Sequence, residues 1–201
     1  MGTLLVVENV SLDGVAQSPG RPDEDTRDGF DRGGWATTWF AQDPEGARAA
    51  MSGGGVTSAF LFGRRTYEDL VGYWLTTPEP NPFADILRST PKHVATRTLD
   101  EPLAHPASHR LGADLVDAVT ALKRDVEGEI VVLGSIRLVH QLAAAGLVDA
   151  YLLTTVPVLL GDGLRLFDGT PAHLEVSGAT VSPRGALTAT YSVLPSGAGE
   201  P

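Results

Sequence analysis

The chain contains no cysteine. That excludes disulfide scaffolds, thiolate metal centres, iron–sulfur clusters and cysteine nucleophiles, and it fits a reducing compartment. Basic residues are scarce: 15 Lys and Arg stand against 25 Asp and Glu, for a formal charge of −10. Phosphate backbones need a basic surface, so nucleic acid is not an expected partner. Long apolar runs are missing as well. The longest, residues 147–160, is broken by Asp149 and Pro157 and is too short for a membrane span, so no membrane partner is expected either. The opening MGTLLVVENV has no basic flank and no cleavage-like site, which predicts no targeting segment and a cytoplasmic location.

What is present is ordinary globular material. Hydrophobic residues make up 42% and charged residues 20% of 201 positions. This suits one domain, expected over residues 1–195, with 196–201 as a disordered tail. Residues 3–10 read as a buried strand and 11–35 as a long loop of Gly, Asp, Pro and Arg. Long loops in compact domains are usually functional, and a lid is one use for this one. Residues 36–53 read as a helix, with Asp43 as a possible N-cap ahead of Pro44. Strands are expected at 57–62, 92–96, 129–133 and 148–156. Helices are expected at 65–72, 83–88, 113–126 and 136–145, and a proline-rich loop at 76–82. Two further strands near 172–181 and 186–194 form a hairpin around Pro183-Arg184-Gly185. The alternation predicts an α/β fold with a mainly parallel sheet and an antiparallel C-terminal edge.

In open α/β sheets ligands bind beyond the carboxyl ends of the strands. Three such ends suit an anion. Phe62-Gly63 runs into Arg64, Arg65 and Thr66 at a helix start, where amides and guanidinium forks grip phosphate. Thr96, Arg97 and Thr98 follow another strand. Gly134-Ser135 passes directly into a helix beginning Ile136-Arg137-Leu138, and glycine permits close backbone approach. Each segment alone also reads as an ordinary polar or tight turn. Together, in an acidic chain, they point to a ligand with more than one phosphate, such as a dinucleotide. Asp13, in Ser11-Leu12-Asp13-Gly14, would sit at the mouth of the sheet. It is a candidate to orient substrate or relay a proton, and equally a turn former. Trp35, Trp39 and Trp74 could sandwich a flat ring or cover the core. The nearest match to the Rossmann fingerprint, Gly161-Asp162-Gly163-Leu164-Arg165-Leu166, lacks the third glycine and comes late. P-loop, zinc-protease and nucleophile-elbow motifs are missing. His105 and His109 lie four apart with Pro106 between them, so helical presentation is lacking and no metal is expected.

The ordered set SLDG (11–14), FGRRTYE (62–68), PKHVATRTL (91–99), VVLGSIRLVHQL (131–142), LVDAYLLTTVPVLLG (147–161) and GLRLF (163–167) resembles the dihydrofolate reductase superfamily. The nearest branch is similar to the C-terminal reductase domain of the riboflavin-biosynthesis protein RibD. The resemblance covers residues 3–194. It implies a three-layer αβα sandwich around an eight-stranded, mainly parallel sheet, NADPH as cofactor, and a homodimer. By motif matching it implies that Gly63, Arg64, Arg65 and Thr66 hold the adenosine phosphates. Thr96, Arg97 and Thr98 would form the second wall of that site, and Gly134, Ser135, Ile136, Arg137 and Leu138 the diphosphate loop. Asp13 and Gly14 would lie beside the nicotinamide, with Trp35 and Trp74 as candidate substrate contacts. Two departures bear on the substrate. Asp43 and Glu45 sit near the start of the first long helix, so no acid is assigned to a pterin. Val15 and Ala16 follow SLDG where riboflavin-pathway reductases usually carry a basic residue. The expected activity is NADPH-dependent reduction of a small, flat heterocycle. The alternative is a non-catalytic NADP(H)-binding dimeric module, and self-association is expected through the apolar strand 150–160 and the terminal hairpin.

Overall fold

The structure is a computed structural model that describes residues 1–51, 55–77 and 81–195. The strands are β1 (Thr3–Ser11), β2 (Thr57–Gly63), β3 (Lys92–Ala95), β4 (Ser108–Arg110), β5 (Glu129–Leu133), β6 (Ala150–Val156), β7 (Leu174–Val181) and β8 (Leu187–Val193). They form one mixed sheet in the order β4-β3-β2-β5-β1-β6-β8-β7, flanked by helices. The chain divides into two compact units, residues 1–5 with 55–147 and residues 6–54 with 148–201.

In the first unit β2 pairs in parallel with both β3 and β5, and β3 pairs in parallel with β4. Its core is aliphatic and aromatic: Leu61, Phe62, Val94, Ile130 and Val132 are fully buried. Truncating such a leucine to alanine costs about 2–5 kcal/mol. A helical stretch follows β2 without a break as α3 (Arg64–Thr66), a wide π turn over Tyr67–Val71, and α4 (Gly72–Thr76). Next comes α5 (Pro82–Ser89), where Pro82 occupies the first position and Asn81 caps by accepting from the Phe83 amide at 3.0 Å. The helix α6 (Leu115–Asp125) is capped by Asp114, which accepts from the Asp117 amide at 2.9 Å. Then α7 (Ile136–Ala144) ends ahead of Gly146, whose φ is +65°. Buried Lys92 donates from Nζ to the Leu87 and Thr90 carbonyls and so satisfies the end of α5.

In the second unit β8 pairs antiparallel with β6 and with β7. The turn at 182–186 is closed by the Ser182 and Ala186 backbones, with Gly185 at φ +91°. Two helices, α1 (Trp35–Phe40) and α2 (Pro44–Met51), stand where the sequence predicts a single helix over 36–53. The cause is local. Pro44 cannot continue a helix from behind, and Asp43 turns its carboxylate to the Gly46 amide at 3.2 Å as a cap for α2. Residues 52 and 53 of the expected helix, the tail 196–201 and Pro78 and Pro80 of the proline-rich loop lie outside the described residues.

The structure also adds β4, where the sequence predicts a loop. Its three residues, Ser108-His109-Arg110, are polar and too few to show a period; only the register with β3 defines it.

Asp43 is buried, and its second oxygen accepts from the Ser182 hydroxyl at the β7–β8 turn. Asp43→Ala should therefore lower the urea midpoint by about 1–2 kcal/mol equivalent at unchanged m-value. A loss no larger than that of an exposed control substitution would refute the cap.

Candidate functional site

In the first unit three strand ends stand level. Gly63 at the end of β2 is in register with Ala95 at the end of β3, and Leu61 is in register with Val132, two positions before Gly134. The segments 63–66, 96–98 and 134–138 thus emerge at one end of the sheet. The turn from β5 into α7 uses two consecutive left-handed residues, Gly134 at φ +56° and Ser135 at φ +61°. A Cβ at Gly134 would come within 3.0 Å of the Thr66 methyl, so the left-handed backbone and the close approach both select glycine. The Gly63 amide donates to Ser135 Oγ at 2.9 Å, tying the first segment to the third. The Leu138 and Val139 amides donate to the Ser135 carbonyl at 2.7 and 3.1 Å. Intrahelical bonding begins there, which sets the positive end of the α7 dipole at Ser135–Ile136.

The cations around this end differ in engagement. Arg64 lies 3.2 Å from Glu68, one turn further along. Arg65 and Arg97 are exposed, and so is Arg137 at the first turn of α7. Thr96 closes the 96–99 turn: its Oγ1 accepts from the Thr98 and Leu99 amides at 3.2 Å each. Trp74 is half-buried, edge-on to Tyr73 and Phe83 with centroids at 5.3 and 5.7 Å. His105 packs against Tyr67 at 5.2 Å, whereas His109 lies beside His93 at 6.0 Å. Among the described residues no three potential metal ligands cluster.

The second unit holds Asp13 and Gly14. Asp13 accepts from Ser11 Oγ at 2.6 Å and from the Leu160 and Gly161 amides at 3.2 and 2.7 Å. These bonds, the Ser11 hydroxyl foremost, draw its pKa from 3.8 down to about 2. The group is a fixed anion at neutral pH, suited to orienting its neighbours and poorly matched to giving up a proton. Gly14 adopts φ +85°, and Val15 bridges to Arg165. Trp35 is a core side chain, packed with Val15, Phe30, Ala36, Val156 and Leu160, and its indole N–H donates to the Gln17 carbonyl at 2.9 Å.

Two features of this unit are not predicted from the sequence. One is Glu8 on β1, 6% exposed, with Oε1 lacking a hydrogen-bond partner. Burial, with Glu24 adding repulsion, raises its carboxyl well above the usual range. A protonated carboxyl can donate a hydrogen bond, which Asp13 cannot. The only available signal is one acid inside the run TLLVVENV. The other feature is a cleft of about 420 Å³ beside Gln17, Arg27, Phe30, Arg32 and Asp162. No periodicity announces it, because it is made by loop residues distant in the chain.

The sheet order, the parallel pairs in the first unit and the antiparallel pair of C-terminal strands define a dihydrofolate-reductase-like α/β fold. The chain belongs to the RibD C-terminal domain family, whose model matches residues 3–187. Among solved structures it is similar to a putative riboflavin biosynthesis protein from Shewanella sp. PV-4, at 19% identity and TM-score 0.62, over 97% of this chain and 100% of that one. It is similar to a pyrimidine reductase-like protein from Corynebacterium diphtheriae, at 14% identity and TM-score 0.57, over 96% and 92%. It is similar as well to dihydrofolate reductase from Enterococcus faecalis complexed with NADP(H) and RAB-propyl, at 16% identity and TM-score 0.57, over 96% and 98%. Among curated proteins none matches. No helix of the described residues is long and apolar enough to cross a membrane.

The two acids impose opposite pH slopes on stability. Asp13 has its folded pKa depressed, so its contribution is complete above 3.8 and is lost as pH falls towards 2. Glu8 has its folded pKa raised, so its contribution is complete below 4.5 and is lost as pH climbs above that value. Denaturation midpoints across pH should show Asp13→Asn flattening the acid limb and Glu8→Gln flattening the limb above 4.5. Unchanged limbs in both variants would refute these assignments.

Proposed function

We propose that the chain is an NADPH-dependent reductase of a small, flat heterocyclic substrate. The observation that carries this reading is the level emergence of 63–66, 96–98 and 134–138, with Gly63 bonded to Ser135. The local groups fit a phosphate-rich cofactor. They supply exposed guanidinium groups at Arg65 and Arg97, a helix start at Ile136, and a backbone at Gly134 drawn close against Thr66. The acidic character of the rest of the chain makes these local cations the anion-attracting part of the surface.

In this reading Gly63, Arg64, Arg65 and Thr66 hold the adenosine phosphates, and Thr96, Arg97 and Thr98 form the second wall. The segment Gly134, Ser135, Ile136, Arg137 and Leu138 receives the diphosphate. NADPH, when bound, supplies the hydride. Asp13 holds the Leu160 and Gly161 amides in place and steers the proton through water rather than giving up its own. Trp74 offers an aromatic surface to a flat ring, and Trp35 supports the Gln17 backbone from within the core. Residues 1–195 work as one domain, since the family match runs through both compact units. The lack of cysteine fits a cytoplasmic setting.

A second reading is a non-catalytic NADP(H)-binding module. It is favoured by the engagement of Asp43 as a helix cap and by the lowered pKa of Asp13 in its turn, which makes Asp13 a poor proton donor.

Thermal unfolding with and without each dinucleotide tests the cofactor. Ligand at 100 times its dissociation constant stabilises by about 2.7 kcal/mol, which is about 5–10 °C for a chain of this size. NADPH should give that shift and NADH a much smaller one. Arg65→Ala should weaken NADPH on the order of tenfold while leaving NADH within about twofold, as expected for one charge-assisted contact. Equal weakening of both would remove the 2′-phosphate role from Arg65. Cofactor oxidation with pteridines, pyrimidines and quinones then separates reductase from module, because turnover with any of them sinks the second reading.

A further inference from the structure

The sequence sets His105 four residues before His109, but the fold gives His109 a different neighbour. His93 on β3 and His109 on β4 are direct partners in the parallel register. Their ring centroids stand 6.0 Å apart with planes tilted by 38°. His105 is turned instead to Tyr67. Alternation along a strand sends the flanking residues to the other face of the sheet. There Lys92 pairs with Ser108 and Val94 with Arg110, so the lysine and the arginine beside the pair do not share its face. His93 is half-buried, with fully buried Leu61 as its partner on β2, whereas His109 is exposed.

Two imidazoles side by side can act together on one ion. The neutral ring nitrogen of histidine is the commonest protein ligand for a metal. Zn–N bonds of about 2.0–2.1 Å in a tetrahedral arrangement put the centroids of two bound rings about 5 Å apart. The pair stands about 1 Å wider than that, and rotation of the exposed His109 ring about its side-chain torsions spans the difference. The strand that carries His109 is weakly held. β4 is the outer strand at its end of the sheet, it has three polar residues, and among the described residues it pairs only with β3.

We propose that His93 and His109 form a two-imidazole site for a late first-row divalent cation such as Zn2+, which fastens the edge strand β4 to β3. One ring comes from each strand, so a single ion spans the ladder. Among the described residues no group of three potential ligands forms, so water fills the remaining coordination positions. The site is open, and it binds more weakly than a closed four-ligand centre. Imidazole selects Zn2+, Ni2+ and Cu2+ over Mg2+ and Ca2+, which prefer oxygen ligands. The proposal is independent of the reductase reading, since neither histidine lies in the segments 63–66, 96–98 or 134–138.

Titration calorimetry of the full chain without an affinity tag, with Zn2+ alone as titrant, should give one site per chain, and Mg2+ should give no binding heat. His93→Ala and His109→Ala should each weaken Zn2+ by at least the roughly 10–100-fold that loss of a metal's outer-shell partner costs. His105→Ala and His173→Ala should leave it unchanged. The Leu111 amide, which donates to the Val94 carbonyl at 2.9 Å just beyond β4, reports the clip. Its hydrogen exchange should slow when Zn2+ is added to the wild type and stay the same in His109→Ala. Absence of Zn2+ binding overturns the proposal. So does binding that survives His109→Ala, binding lost equally in His173→Ala, one ion per two chains, or exchange at Leu111 that Zn2+ does not slow. If His93→Ala fails to fold, the exposed His109→Ala decides.

Discussion

The end of the first unit where 63–66, 96–98 and 134–138 emerge depends on two consecutive left-handed residues. Gly134 and Ser135 turn β5 into α7 within two positions, and a Cβ at the first of them would crowd the Thr66 methyl at 3.0 Å in a left-handed backbone. A non-glycine residue in left-handed backbone is uncommon, and Ser135 is stabilised there because its hydroxyl accepts the Gly63 amide. One hydrogen bond therefore fixes the distance between the helix start and the arginine-bearing segment. Most of the remaining geometry at this end follows from strand register, which the apolar pairs of β2, β3 and β5 enforce.

In the second unit the corresponding device is a saturated amide. Gln17, 4% exposed, donates to the Asp25 and Arg27 carbonyls and accepts from the Leu164 amide, while its own carbonyl takes the Trp35 indole. Residues 18–34 lack long regular structure, yet they are bound at several points. Ser18 holds the Arg21 carbonyl and the Asp25 amide, Glu24 holds the Gly20 and Arg21 amides, and Arg27 pairs with Asp25. The segment is an ordered loop built on buried polar groups, and such networks hold only when every member is satisfied. A lid that moves must move against these bonds, so any motion is confined to parts outside them.

The sequence made the alternation of strands and helices readable because β2, β5 and β6 are apolar runs bounded by glycine or proline, and α6 has a clean apolar face. The turns at Gly63-Arg64-Arg65-Thr66 and Gly134-Ser135 were readable too, since they stand where a strand must give way to a helix. Three things were not. β4 exists only through its partner, and three polar residues carry no period of their own. The break at 41–43 was only half legible: Asp43 ahead of Pro44 marks a helix start, but the helical pattern of 36–53 runs on both sides of it. Glu8 looks in sequence like one solvated acid in a strand, because its neighbours on the covering loop are a dozen or more residues away in the chain. Burial is a tertiary property, and its effect on a carboxyl has no local signature.

In the proposed function the two units carry different segments. Every segment read as cofactor-directed, 63–66, 96–98 and 134–138, lies in the first unit, where parallel strands and short connections fix it. Asp13, Glu8, the long loop and the 420 Å³ cleft all lie in the second unit, which is assembled from loop residues and an antiparallel hairpin. Loops tolerate substitution more readily than strand registers do. Under the proposed function, substitutions in the loops of the second unit leave the segments 63–66, 96–98 and 134–138 in place. Val15 and Ala16 after SLDG lie in that second unit as well. A fold does not by itself fix a substrate, so function has to be argued from these loop residues.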